Sequence, residues 1–166
     1  MITTHQEVID LYANFGIKAT FENFCLDSGC VYEDNHVALG MDKANLPVSL
    51  HELAHWLVVD PSRRKLPNYG LGPHPEEREE KPPVVLGSSD LAQHLEALAC
   101  ELHVRMALYY FDHSAALKVA DYLCVSSYDA DKIAPQELTD LKTLQEMGVL
   151  DEHFRFSPES AWEKSR

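Results

Sequence analysis

The sequence predicts an α+β fold. In this fold a small sheet packs on a helix that carries two histidines and on a second helix that carries glutamates, and the C-terminal part is helical. Residues 17–40 lack a helical period and contain aromatic and β-favouring residues broken by glycines, which predicts a small sheet or hairpin. Apolar residues recur at helical spacing within residues 50–58 and 91–106, which predicts the two helices. Helix-opening residues recur after residue 113 and predict further helices.

Length and composition limit the function. The 166 residues suit one compact domain, so we expect residues 1–166 to form a single catalytic or binding unit. The formal net charge of -13 repels phosphate backbones and suits a cationic partner. No apolar stretch is long enough to cross a bilayer, and the first residues do not resemble a secretory signal. We therefore expect a cytoplasmic protein that binds neither nucleic acid nor membrane, with its four cysteines as free thiols.

The helix boundaries are predicted from capping residues. Thr4 to Glu7 matches a capping box, and the helix that it opens should end at Gly16. Residues 45–47, Asn-Leu-Pro, are expected to open a second helix that ends before residues 60–61, Asp-Pro. Residues 88–90, Ser-Ser-Asp, are expected to cap a long third helix that runs to about residue 111.

The remainder of the chain is less regular. Ser114 is expected to cap a helix that ends near Cys124, and Pro135 to open another that Gly148 closes. The tail from Asp151 is weakly patterned. Residues 61–88 form a long proline-rich connection, and such loops are often functional.

A short motif in the second helix indicates metal chemistry. Residues 51–55 read His-Glu-Leu-Ala-His, and residues four apart lie on one face of a helix. His51 and His55 can therefore bind one metal ion, and Glu52 is placed to act as a catalytic base beside it. The alternative is a buried helix that carries these residues by chance, but three unpaired ionisable groups on an apolar helix would cost several kcal/mol.

An open catalytic site needs a third protein ligand. Small residues flank Glu96, which would let another helix approach closely, whereas Glu101 is spaced to form an ion pair with Arg105 on its own helix. We predict Glu96 as the third ligand and keep Glu101 as the alternative. His94 and His103 are further options, but each is better explained as a surface or hydrogen-bonded histidine.

The segment from Val37 to Gly70 resembles the bacterial elongation factor P hydroxylase family. The matching residues are His51-Glu52-x-x-His55-Trp56, Arg63-Arg64 with Leu66, and Asn68-Tyr69-Gly70. The resemblance covers about residues 31–105 and implies a zincin-like core that binds Fe(II) through His51, His55 and Glu96. It also implies oxygen-dependent hydroxylation of a modified lysine on a protein substrate, elongation factor P or a related protein. Two histidines and one carboxylate are the ligands that non-haem Fe(II) oxygenases use.

Three residues after the motif are predicted to bind the substrate. Arg63 and Arg64 would form a docking patch, although cations also favour the end of a helix. Tyr69 would form part of the pocket wall, although it also suits a turn. We further expect the loop 71–87 to cover the metal.

Two other functions stay open at the sequence level. A small zinc metallopeptidase would use the same ligands, with Glu52 activating a water molecule for attack on a peptide carbonyl. A non-enzymatic module with a structural metal is less favoured, because structural zinc sites favour cysteine and no cysteine flanks the motif.

Overall fold

The computed structural model describes residues 1–23, 31–33, 35–40, 43–66, 69, 89–123 and 133–165. Its helices are α1 (His5–Asn14), α2 (His51–Val58), α3 (Ser89–Tyr110), α4 (His113–Tyr122), α5 (Pro135–Glu146) and α6 (Pro158–Ser165). Its strands are β1 (Lys18–Glu22), β2 (Val31–Glu33) and β3 (His36–Gly40). Two 3-10 segments, Lys43–Leu50 and Pro61–Arg63, flank α2. Within these described ranges the protein is mostly helical with one small sheet, which agrees with the predicted α+β class.

The sheet forms within the predicted region. The central strand β3 pairs in parallel with β1 and antiparallel with β2. Val37 and Leu39 on β3 are fully buried and belong to the main apolar core, together with residues of α1, α2 and α3. The sheet therefore borders the same core as the helix that carries the two histidines.

The first helix follows its sequence pattern. The Thr4 hydroxyl accepts from the backbone N–H of Glu7, and the Glu7 carboxylate accepts from the backbone N–H of Thr4, which completes the capping box. Gly16 has a φ of 75°, a conformation that glycine adopts without strain, and the chain leaves the helix there. Both predicted ends of α1 are confirmed.

The predicted start of the second helix is wrong by several residues. Lys43–Leu50 form a 3-10 helix that contains Pro47, and the α-helix begins only at His51. The proline has no N–H and the Ser49 hydroxyl donates to the carbonyl of Leu46, so local hydrogen bonds hold the tighter turn. The predicted end is confirmed, since α2 stops at Val58, just before Asp60.

The long third helix is confirmed, and it packs against α2. Four residues of its predicted apolar stripe are buried: Leu95, Leu98, Leu102 and Met106. Leu91, the first residue of the apolar period that the sequence places at 91–106, is 36% exposed, because it lies in the first turn of α3. The predicted cover at 71–87 and the capping residue Ser88 lie outside the described residues.

The C-terminal part contains more structure than its pattern predicted. The cap of α4 is Asp112, not Ser114, because the Asp112 carboxylate accepts from the N–H of Ala115. The fifth helix begins at Pro135 as predicted. The weakly patterned tail forms a β-bridge between Leu150 and Phe156 and then α6. Among the described residues no helix is long and apolar enough to cross a membrane.

Candidate metal centre

The start of α2 is held by a tyrosine from α1. The first N–H groups of any helix lack partners within that helix, and the N-cap residue Leu50 gives none through its side chain. The buried hydroxyl of Tyr12 accepts from the N–H of Leu53 at 3.0 Å and donates to the carbonyl of Ser49. Tyr12 therefore fixes the turn in which His51 begins the helix.

Two imidazoles and one carboxylate converge between α2 and α3. The Nε2 atoms of His51 and His55 are 3.1 Å apart. Glu96 Oε1 lies 3.4 Å from His51 Nε2, and Glu96 Oε2 lies 3.0 Å from His55 Nε2. Donor atoms that share one ion at about 2.1 Å in tetrahedral geometry lie about 3.4 Å apart. The three side chains therefore fit a single divalent metal ion in both chemistry and spacing.

Among the described residues, the centre is more buried at His55 than at Glu96. The side chain of His55 is only 8% exposed, and the ring of Tyr69 stacks on it with the ring centroids 5.8 Å apart. The side chains of His51 and Glu96 are 20% and 51% exposed. Glu96 is thus the most exposed of the three side chains.

The charges of the site favour a cation between these groups. Burial would raise the pKa of Glu96, but its contacts with the imidazoles of His51 and His55 hold it well below its ordinary value. Burial would lower the pKa of His55, but the hydrogen bond to Glu96 and the charges of Glu52 and Glu96 raise it overall. The raised pKa of His55 means that a proton competes with a metal ion for its imidazole.

Glu52 and Tyr69 lie beside the two histidines. Glu52 follows His51 on α2, its side chain is partly buried, and its charge acts on His55. The Tyr69 hydroxyl donates to the backbone carbonyl of Glu52 at 2.8 Å. Tyr69 is 2% exposed, and its contacts hold both the ring of His55 and the backbone beside Glu52.

The two arginines have different surroundings. The guanidinium of Arg64 lies 3.9 Å from the centroid of the Trp56 ring, and its Nε donates to the carbonyl of Trp56. Arg64 is only 9% exposed, so these contacts tie it to the end of α2. Arg63 is partly buried and its Nε donates to the carbonyl of Tyr69 at 3.0 Å. For Arg63, Arg64 and Tyr69, a contact with substrate stays a prediction, whereas their contacts around α2 are part of the fold.

The alternative ligand Glu101 faces a different part of the protein. It is 3% exposed and lies 3.8 Å from Arg105, the intrahelical partner expected from its spacing. Burial raises its pKa to about 7; Arg105 opposes this rise, while the charges of Glu137 and Asp140 add to it. The structure thus separates the two glutamates, with Glu96 at the histidines and Glu101 beside α5.

His103 lies behind His51. Its Nδ1 is 3.3 Å from Nδ1 of His51, and its Nε2 is 2.7 Å from the carbonyl oxygen of Pro47. Burial first, and then the nearby His51, lower the pKa of His103 to about 3, so its ring is neutral. His103 is therefore a hydrogen-bonded histidine and His94 is an exposed one, as the sequence analysis favoured for these two residues.

Cys100 is the site residue that sequence reasoning missed. The sequence predicts a free thiol at this position, and in the structure that thiol donates to Glu96 Oε1 at 3.4 Å. One ligand atom each from Cys100, Glu96 and His51 lie within 4.8 Å of one another. The spacing held a signal, because Cys100 follows Glu96 by four residues and therefore lies one turn along the same face of α3.

These side chains form the candidate metal centre of the chain. Comparison with known proteins adds nothing to its assignment: no family model, curated protein or solved structure matches this chain.

Proposed function

We propose that the chain is a metal-dependent enzyme whose ion is bound by His51, His55 and Glu96. The observation that carries this proposal is the convergence of their nitrogen and oxygen atoms within 3.0–3.4 Å from two packed helices. Three protein ligands leave coordination positions open, and the exposed side of Glu96 gives access to them. These features favour a catalytic ion over one that only holds the fold together.

The reaction proposed is hydroxylation with Fe(II) as the native ion. Fe(II), when bound to two histidines and one carboxylate, supplies the activation of molecular oxygen. One oxygen atom enters a C–H bond of the substrate and the other leaves as water, so an external reductant must supply two electrons. Within the chain, Glu52 would orient the substrate amine or hold a proton beside the ion, since its charge already acts at His55.

The residues that carry the family resemblance support this choice. Trp56, Arg64, Arg63 and Tyr69 lie in contact with one another or with α2, which makes them a connected shell around the motif. The packing of α2 against α3 beside a small sheet supports a zincin-like arrangement adapted to iron.

The proposed substrate is a cationic, lysine-derived side chain on a protein, such as the modified lysine of elongation factor P. The net charge of -13 favours encounter with a cation, because opposite potentials speed association and bias the choice of partner. The exposed carboxylate of Glu96 lies at the mouth of the centre, where such a side chain would enter.

One observation favours a second function, a zinc metallopeptidase. The Cys100 thiol beside Glu96 is a softer donor than imidazole or carboxylate, and soft donors favour zinc over iron. In that reaction Glu52 would take a proton from the attacking water. Against it, the described edge strand β2 has only three residues to align an extended peptide.

A comparison of the two metals tests both functions. Apoprotein is loaded anaerobically with Fe(II) or with Zn(II), then given oxygen, a reductant and elongation factor P that carries its modified lysine. Oxygen uptake with Fe(II) and a mass gain of about 16 Da on the substrate, one oxygen atom, would support hydroxylation.

Paired variants connect the activity to the centre. Glu96→Gln should abolish the activity, while the matched variant Glu101→Gln on the same helix should retain it. Peptide cleavage with Zn(II) that is lost in Glu52→Gln, without oxygen uptake with Fe(II), would establish the peptidase. Failure of the parent to bind either metal would refute both functions.

A further inference from the structure

Hydrogen-bonding groups from three elements form a line that ends at the candidate metal centre. The carbonyl oxygen of Pro47, in the 3-10 segment before α2, lies 2.7 Å from Nε2 of His103 on α3. Nδ1 of His103 lies 3.3 Å from Nδ1 of His51. The other nitrogen of His51, Nε2, faces Glu96 and His55.

The chemistry of these groups fixes the position of each proton. A carbonyl oxygen only accepts, so Nε2 of His103 must carry the hydrogen that it donates to Pro47. His103 is fully buried, and a buried charge without a charged partner is costly, so its ring holds only that one N–H. Nδ1 of His103 is then an acceptor, and the hydrogen between the two rings belongs to Nδ1 of His51.

A single tautomer of His51 follows. With its hydrogen on Nδ1, the lone pair of Nε2 points toward Glu96 and His55, where an ion would sit. With its hydrogen on Nε2, the same nitrogen would point an N–H at that place and could not bind a metal.

We propose that His103 is a positioning residue that, supported by the Pro47 carbonyl, holds His51 in the tautomer whose Nε2 is free to bind a metal ion. The tautomer of His51 is a property of the metal-free chain. Its role in binding a metal rests on the proposed function. A partner of this kind orients a metal-binding histidine and raises its basicity, and its loss typically weakens metal binding about 10–100-fold.

A matched pair of variants separates this role from packing, because any change at a fully buried residue costs stability. The Oδ1 of asparagine lies near the place of the histidine Nδ1, so His103→Asn keeps an acceptor for His51. The amide nitrogen of glutamine lies near the place of the histidine Nε2, so His103→Gln keeps the donor to Pro47 and loses that acceptor. Both variants lose the ring, and urea unfolding measures the packing cost of each.

The first measurement is the tautomer in metal-free protein, read from long-range ¹H–¹⁵N correlation spectra at about pH 8, where an ordinary histidine is neutral. The parent should show His51 protonated on Nδ1 and His103 protonated on Nε2. His103→Asn should keep the hydrogen on Nδ1 of His51, and His103→Gln should move it largely to Nε2. A parent spectrum with His51 protonated on Nε2 would overturn the proposal.

The second measurement is the affinity for Zn(II), by competition with a chelator. His103→Gln should bind about 10–100-fold more weakly than the parent, and His103→Asn should stay much closer to it. Equal losses in the two variants, in proportion to their loss of stability, would show that His103 only packs and would overturn the proposal. If the tautomers are as expected but the parent binds no metal, the proposed function fails and the assignment of the His51 proton is supported.

Discussion

Replacing Glu101 by glutamine is expected to stabilise the protein at about pH 8 and to change its stability little at about pH 5. Burial raises the pKa of this carboxyl from 4.5 to about 7, against the opposing charge of Arg105 and with the added charges of Glu137 and Asp140. Glutamine has nearly the shape of the protonated glutamic acid. The variant therefore resembles the parent in the protonation state that the fold favours.

The direction and size follow from linkage. Because the folded pKa lies above the unfolded one, the protonated carboxyl contributes its full stability below about pH 4.5, and this contribution is lost as the pH rises through about 7. Each pKa unit corresponds to about 1.4 kcal/mol, so the loss reaches at most about 3 kcal/mol near pH 8. In the parent the guanidinium of Arg105 lies 3.8 Å from the Glu101 carboxylate. The variant also removes that negative charge beside Arg105 at about pH 8, so we expect a net gain of about 1–3 kcal/mol.

Urea unfolding of both proteins at the two pH values measures this difference. The parent should have a lower free energy of unfolding at about pH 8 than at about pH 5. The variant should lose about 1–3 kcal/mol less over the same change of pH. A variant that is less stable than the parent at about pH 8 would show that the ion pair with Arg105 outweighs the cost of burying the charge, and would refute the reasoning.

Four further predictions concern the metal centre. His51→Ala and His55→Ala should each lose the metal on dialysis, measured by elemental analysis; full retention in either would refute the site. Metal affinity of the parent should fall as the pH falls, because the raised pKa of His55 keeps a proton in competition with the ion, and calorimetry across pH would detect a flat profile if this is wrong. Tyr12→Phe should lower stability by about 1–3 kcal/mol and reduce metal occupancy, because the N–H of the third residue of α2 loses its partner; unchanged urea unfolding would contradict this. Cys100→Ser should weaken Zn(II) binding more than Fe(II) binding, because the thiolate is the softer donor, and equal effects in chelator competition would place the thiol outside the coordination sphere.

Features that depend on short separations could be predicted from the sequence. The capping box of α1 joins Thr4 and Glu7, three residues apart, and the ion pair of Glu101 and Arg105 joins residues four apart. The shared face of His51 and His55 follows in the same way, because helix geometry alone brings residues four apart together. The two principal helices follow from hydrophobic period, and the small sheet from β-favouring residues between glycines; both signals depend only on neighbours.

Features that join distant segments were decided by the tertiary structure. His51 and His103 are 52 residues apart, and Tyr12 and Leu53 are 41 apart, so no local pattern could pair them. The sequence ranked Glu96 above Glu101, but only the packing of α3 against α2 turned one carboxylate toward the histidines and buried the other beside α5. The physical reason is that helix spacing determines which residues share a face, whereas the packing of whole elements against one core determines what that face meets.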